Sequence, residues 1–502
     1  MAPSVQTINS IRSIPFLALA CLNAAAPLTP SSMQWVNCSS IDPEMPPALE
    51  CGQVQVPLDW NNVKSEHIAI GLVRIPSSNR EKLGSLIYNP GGPGGAASDV
   101  VIAQASGVQA FSEDLVSNFD IVGMDPRGVG LSPRIKCDPD LYNKRNAWFP
   151  KDETEYDAMV QANKDLWESC ERLTGPLLYH ADTIAVAKDL EAVRKALGDE
   201  KLNFMGASYG SQIGQTYAQL FPKNYRALAL DGITDHAQSA TDTFVTEVST
   251  YERSFERFAE WCDENEDCAL HGEDVQEILV RLVDEANDNP IPAPGCDDKV
   301  CRSNMNGYEI LQVTQNGLHF VPVIEPLSAG WVGLAGALAQ ASQGNATLLS
   351  STSLLAQSED DPAFAGPAIS CLDWISEGNS FWDLKWKMEL GRTVAPVTRG
   401  VSQSYQIQAQ CLGFPKKPTN PQQDMTVKNE GQPPIFLAQS KYDPSTSYVW
   451  AENVRKSIES VAFALRDGDG HTSYFLFGEL SKMMDEYLIK GTLPSNHTVV
   501  KT

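Results

Sequence analysis

Positive charge is scarce in this chain of 502 residues, with 38 lysines and arginines against 63 aspartates and glutamates and a net charge of −25. No basic stripe or Lys/Arg run occurs. Nucleic acid and anionic bilayers are held by clustered cations, so neither is an expected partner. Long apolar runs are also lacking. The run Ile14 to Leu22, around Pro15, is far shorter than the ~20 residues that span a bilayer. Arg12 before it and Ala24-Ala25-Ala26 after it give a signal peptide over residues 1–26, so the mature chain is expected outside the cell. No Cys-x-x-Cys spacing occurs, which disfavours zinc. No Gly-Lys-Ser/Thr follows the glycine-rich stretch near residue 90, which argues against a phosphate cradle.

Cysteine is present in number. Of 11 cysteines, Cys21 falls in the signal peptide, leaving 11 − 1 = 10. An even count in a secreted chain implies disulfides. Spacing suggests a sequential set, Cys38 with Cys51, Cys137 with Cys170, Cys262 with Cys268, Cys296 with Cys301 and Cys371 with Cys411, although other connectivities remain open. Sequons at Asn37, Asn345 and Asn496 are candidate glycosylation sites.

Strand-like and helical runs alternate through the first half. Ile68–Ile75, Leu83–Asn89, Phe119–Met124, Leu202–Met205 and Arg226–Leu230 read as strands. Thr183–Leu197 reads as a helix, with Val186, Leu190, Val193 and Leu197 on one face, Asp182 as N-cap and Gly198 as stop. Such alternation predicts an α/β fold with a mostly parallel sheet flanked by helices. It stops near residue 235, gives way to helical and Pro/Cys-rich sequence, and returns at Pro434–Gln439 and Val461–Leu465. The organisation expected is a core over 27–234 and 426–502, interrupted by a helical cap over 235–425.

The chemistry centres on Gly206-Ala207-Ser208-Tyr209-Gly210, a G-x-S-x-G pattern between an apolar strand and a helical run. A serine hydroxyl needs a base to become a nucleophile, and flanking glycines permit the tight turn that exposes it. Of seven histidines, His471 is the candidate base, because it alone follows the last core strand in a glycine-flanked loop. Asp443, after the strand 434–439, is the candidate acid, with Asp231 as runner-up. An oxyanion site needs two donors: the N–H of Tyr209 and, from Pro90-Gly91-Gly92-Pro93-Gly94-Gly95, that of Gly92. The set predicts acyl transfer on an α/β-hydrolase fold.

The chain resembles the secreted tripeptidyl aminopeptidases and prolyl aminopeptidase-like serine hydrolases. The matching pieces include Val56-Pro57-Leu58-Asp59-Trp60, Asn89 to Gly95, Asp125-Pro126-Arg127-Gly128-Val129-Gly130-Leu131-Ser132, the Ser208 motif, Ala368 to Trp374, the Asp443 loop and Asp469-Gly470-His471. This resemblance implies an exopeptidase acting near a free peptide N-terminus, without metal or organic cofactor. Such an enzyme must hold an α-ammonium, for which Asp373 is the candidate carboxylate. One departure is Ala96-Ala97-Ser98, where the family often has Ser directly after the second glycine pair. Two other readings use the same residues: a secreted esterase or biosynthetic hydrolase acting on a small molecule, and a non-catalytic binding protein on a hydrolase fold. The intact Ser208, Asp443 and His471 speak against the last. The oligomeric state is not encoded in any of these features.

Overall fold

The computed structural model describes residues 33–323, 328–428, 431–495 and 497–501. The expected signal peptide, 1–26, lies outside them. Strands β1 (Val36–Asn37), β2 (Glu50–Pro57), β3 (His67–Ile75), β4 (Ser85–Asn89), β5 (Asp120–Met124), β6 (Leu202–Ala207) and β7 (Tyr225–Asp231) come first. A short ribbon, β8 (Ile291–Pro292) and β9 (Asn304–Met305), follows, and then β10 (Ile435–Tyr442), β11 (Val461–Asp469) and β12 (Thr498–Lys501).

All but β8 and β9 join one ten-stranded sheet in the order β1-β2-β3-β5-β4-β6-β7-β10-β11-β12. Pairing is antiparallel from β1 to β5 through β3 and parallel from β5 onward. The central strands are mostly apolar and buried over their whole length, as SLIYN, DIVGM and LNFMGA illustrate, because helices cover both faces. Sequence reading found the central strands to within a few residues. It missed the antiparallel edge strands β1 and β2 and the terminal β12, whose half-exposed residues carry no continuous apolar run.

Apolar clusters fill each face. One gathers Ile87, Val122, Leu190, Phe204, Ile213 and Leu228, the other Leu86, Tyr88, Ile121, Met205, Phe436 and Met484. Between β7 and β10 the chain is mainly helical, with helices including Ala240–Glu264, Val275–Asp288, Gly307–Gly317, Gly330–Ser342, Ala365–Asp373 and Gln403–Gln410. This segment has its own core of Tyr251, Phe258, Leu279, Leu311, Trp331 and Leu338. It also draws on residues before β6: Phe149 stacks on Tyr405 with centroids 4.5 Å apart, and Tyr156 and Met159 pack with Phe244 and Leu384.

Five disulfides join Cys38–Cys51, Cys137–Cys170, Cys262–Cys268, Cys296–Cys301 and Cys371–Cys411. No helix among the described residues is long and apolar enough to cross a membrane. Cys371–Cys411 ties the helix Ala365–Asp373 to the end of Gln403–Gln410. The amino-terminal strands are locked to the centre by Arg127, which is fully buried with Asp189. Its Nε and Nη2 donate to the two oxygens of Asp189 at 2.6 Å each, and its remaining donors reach the carbonyls of Pro57, Leu58 and His180. Arg127→Met leaves the Asp189 carboxylate buried without its countercharge. The expected loss is about 3–5 kcal/mol of unfolding free energy, measured by urea titration. A loss below about 1 kcal/mol would show that the pair is not what holds β2 to the helix Thr183–Leu197.

Candidate active site

Parallel order brings the carboxyl ends of β4, β6, β7 and β10 into one row, where Asn89 pairs with Gly206, Ala207 with Asp231 and Asp231 with Ala438. Loops leaving such a row converge above the sheet edge, where open α/β sheets hold their ligands.

Ser208 stands between β6 and the helix Tyr209–Leu220 with φ 56° and ψ −126°. A non-glycine residue at positive φ is strained by roughly 1–3 kcal/mol and persists only where its surroundings dictate it. Here the Ser208 N–H donates to the Asp231 carbonyl at 2.8 Å, and its own carbonyl accepts from Ser211 at 2.7 Å. The flanking glycines are required by space. A Cβ on Gly206 would lie 2.3 Å from the Gly210 carbonyl oxygen, and one on Gly210 would lie 2.7 Å from that of Asn89. A Cβ on Gly91 would lie 2.8 Å from Ser208 Cβ and 3.0 Å from Tyr209 N. The glycine-rich loop is therefore pressed against the turn.

Within that loop the Gly91 N–H is spent on Asn89 Oδ1 at 3.0 Å. The Gly92 N–H has no acceptor among the described residues, and Gly92 lines the cleft beside Ser208 and Tyr209. Tyr209 opens its helix, so its N–H has no intrahelical acceptor. Ser98, at the departure from the family pattern, is buried, and its hydroxyl donates to Asp125 Oδ2 at 2.6 Å.

Asp443 and His471 meet. His471 Nδ1 lies 2.9 Å from both carboxylate oxygens, so Nδ1 carries the proton in this contact. Asp443 also accepts the N–H groups of Ser445, Thr446 and Thr472 and the Thr446 hydroxyl. Burial works to raise the Asp443 pKa, but the His471 charge and these donors outweigh it and hold the carboxyl below its ordinary value. Burial works to lower the His471 pKa, but the Asp443 charge and hydrogen bond outweigh it and raise it above 6.5. Ser208 Oγ and His471 share no hydrogen bond. Gly232 lies beside the imidazole, and a Cβ on it would sit 3.5 Å from His471 Cε1 and 3.0 Å from Thr446 Oγ1. Such bonds commonly tighten only when substrate is bound.

Asp231 is engaged differently. It is fully buried, and its Oδ2 accepts the N–H groups of Ser473 and Tyr474 at 2.7 and 2.8 Å, which anchors the chain just beyond His471. Burial pushes its pKa up to about 6 despite these bonds. It reaches His471 only through its field.

Ser208 opens into a cleft that is partly open to solvent. Two carboxylates line it, Asp235 and Glu247, with Trp374 and Trp450, and no lysine or arginine among the described residues does. Burial raises the pKa of both acids. Sequence reading missed them. Glu247 is one charge among many on the helix Ala240–Glu264, and only the packing of that helix shows that it lines the cleft.

The family comparisons agree with this architecture. The alpha/beta hydrolase fold family matches residues 84–300, and the family described as TAP-like protein matches residues 395–500. The chain has the α/β-hydrolase fold. The hydrolase is 28% identical to the protein named serine protease Hip1 of Mycobacterium tuberculosis, over 94% of this chain and 91% of the relative. It is 28% identical to the tripeptidyl aminopeptidase of Streptomyces lividans, over 93% and 86%. It is also 24% identical to the carboxylesterase B of Mycobacterium tuberculosis, over 93% and 90%. With these relatives and this fold it is a serine hydrolase.

Asp373 does not face the cleft of the hydrolase. It is fully buried, with Oδ1 accepting from Thr183 N and Asn420 Nδ2 and Oδ2 from the hydroxyls of Thr183 and Tyr209. Burial pushes its pKa up to about 7. A carboxylate saturated in this way joins the helix Ala365–Asp373 to the sheet and has no oxygen left for a substrate ammonium. Its neighbour Trp374 reaches the cleft instead. Of the sequons, Asn37 is exposed, Asn345 is half-buried with Oδ1 accepting from Thr347 N, and Asn496 lies outside the described residues.

The two acids beside His471 should separate in titration. Asp443→Asn removes the charge that overrides burial, so the His471 pKa is expected to fall below 6.5. Asp231→Asn removes only a remote field and should lower it less. Imidazole proton resonances followed against pH by NMR measure both, and the reverse order would exchange the roles of the two acids.

Proposed function

We propose that this hydrolase is a secreted serine exopeptidase that cleaves peptide bonds near a free N-terminus through Ser208, His471 and Asp443. Ser208 Oγ attacks the scissile carbonyl while His471 Nε2 takes its proton, and Asp443 orients the imidazole and stabilises its charged form. The N–H groups of Tyr209 and Gly92 receive the developing oxyanion. His471 then returns the proton to the leaving amine, and water releases the acyl-enzyme by the reverse sequence.

The observation that carries the reading is the acidic cleft above Ser208, lined by Asp235 and, among the described residues, by no lysine or arginine. An α-ammonium is the group such a cleft favours, through charge-assisted hydrogen bonds. Glu247 is saturated as Asp373 is, with Oε1 accepting from Gln315 Nε2 and Gln403 N and Oε2 from the N–H and hydroxyl of Ser404, so Asp235, whose two oxygens each accept one donor, from Ala237 N and Asn453 Nδ2, takes the role expected of Asp373. The helical segment 235–425 acts as a cap, contributing Glu247, Trp374 and Ser404 to the cleft wall. Five disulfides and two described sequons support an extracellular site of action. The likeness to a carboxylesterase keeps one second reading, a small ester as substrate on the same three residues.

Ser208→Ala is expected to abolish labelling by a fluorophosphonate probe, and undiminished labelling would remove Ser208 from the mechanism. Free-amine peptides should be cleaved far faster than N-blocked ones, whereas turnover of simple esters alone would support the second reading. A carboxylate must be ionised to hold an ammonium. Because burial raises the pKa of Asp235, KM for free-amine peptides should rise as pH falls through its raised value. Initial rates against pH, with an ester as control, measure this; a KM that rises equally for the ester would rule out ammonium recognition.

A further inference from the structure

We propose that His319 is a positioning residue for His471, coupling the active-site imidazole to the helical segment that covers the sheet. His319 has this role only if His471 is the base proposed above. It follows the helix Gly307–Gly317 and is bound to the active-site loops in three ways. Its carbonyl oxygen accepts the His471 N–H at 2.6 Å. Its ring lies against the His471 ring, with centroids 4.9 Å apart and planes tilted by 39°. Its Nε2 is 2.7 Å from Ser445 Oγ, and the Ser445 N–H donates to Asp443 Oδ1 at 2.9 Å. One residue thus touches the imidazole and the loop that carries its carboxylate.

The approach has been made possible at Gly470. This residue has φ +94°, and a Cβ on it would lie 2.7 Å from the His319 carbonyl oxygen. Any side chain there would push the two segments apart. On its other side the His319 segment is fixed by the Trp331 N–H, which donates to the Val321 carbonyl at 3.1 Å, and Trp331 is buried in the cap's own core.

The charged groups around His471 come from every neighbouring element. Asp443 follows β10, Asp231 ends β7, and Arg466 on β11 donates to the carbonyls of Gly470 and Thr472. Asp469 is paired with Arg257 from the helix Ala240–Glu264. His319 is the neutral member: burial and the His471 charge push its pKa down to about 3. A small cavity lies beside the two rings, lined by His319, Val321, Arg466, Asp469, His471 and Phe475. Removing the His319 ring enlarges it and admits water against His471, and water favours the imidazolium.

His319→Ala should lower kcat about tenfold with little change in KM, since the base is misplaced while the cleft is intact. The acid limb of kcat/KM should move toward higher pH by ~0.5, because a hydrated imidazolium deprotonates at higher pH. His319→Phe keeps a ring over His471 and should restore the position of that limb. His319→Gln keeps a partner for Ser445 and should leave the limb shifted. Independently of activity, the low-field NMR resonance of the His471 Nδ1 proton should broaden in His319→Ala through faster exchange with solvent. A folded His319→Ala protein with wild-type kcat, acid limb and resonance overturns the proposal. If that variant does not fold, His319→Gln decides it, and a wild-type limb and resonance there overturn it equally. Turnover retained in His471→Ala would instead defeat the base assignment, whatever the resonance in the His319 variants shows.

Discussion

At Ser208 the chain must reverse from strand to helix within one residue, and the surrounding structure is built to hold that reversal. The residue is kept at positive φ by the Asp231 carbonyl and by glycines at 206, 210 and 91 that let three backbones approach to contact distance. Strain of this kind is stable only against a rigid support. The parallel row of β4, β6 and β7, buried on both faces, is that support. The same row brings the glycine-rich loop beside the helix start, so Gly92 shares a cleft with Ser208 and Tyr209 from a distant part of the sequence.

Two buried carboxylates lie near one imidazole, and their hydrogen bonds decide what each does. Asp443 accepts the His471 proton contact and is stabilised as an anion. Asp231 spends its bonded oxygen on two backbone N–H groups, and burial keeps its pKa high. Similar chemistry and similar burial thus lead to one acid that orients the ring and one that anchors the loop behind it. Asp373 illustrates the same rule in a third place, where four donors turn an acid into a cross-link between helix and sheet.

The segment over the sheet has a separate apolar core, yet it is not independent of the site. Glu247 and Trp374 form cleft wall, and His319 bonds directly to the loop of His471. The segment is attached beside His471 as well as at the cleft wall, so its packing and the geometry of the Asp443–His471 pair are linked. Aromatic residues from before β6, Phe149 and Tyr156, brace it from the side.

Local sequence determined the central strands, the Ser208 turn, the glycine-rich loop and the order of Ser208, Asp443 and His471. These features rest on short-range physics: apolar runs that need covering on both faces, glycines that permit tight turns, and a loop after each strand. The edge strands escaped notice because a half-exposed strand has no such run. Which acid bonds His471, which acids face the cleft and which is sealed beneath it were decided only by tertiary structure. Asp231, Asp235, Glu247, Asp373 and Asp443 are alike as letters, and their roles follow from burial and from the donors that distant segments bring to them. The reversal at Ser208 could be anticipated from five residues, while the surface presented to it depends on how some two hundred others pack.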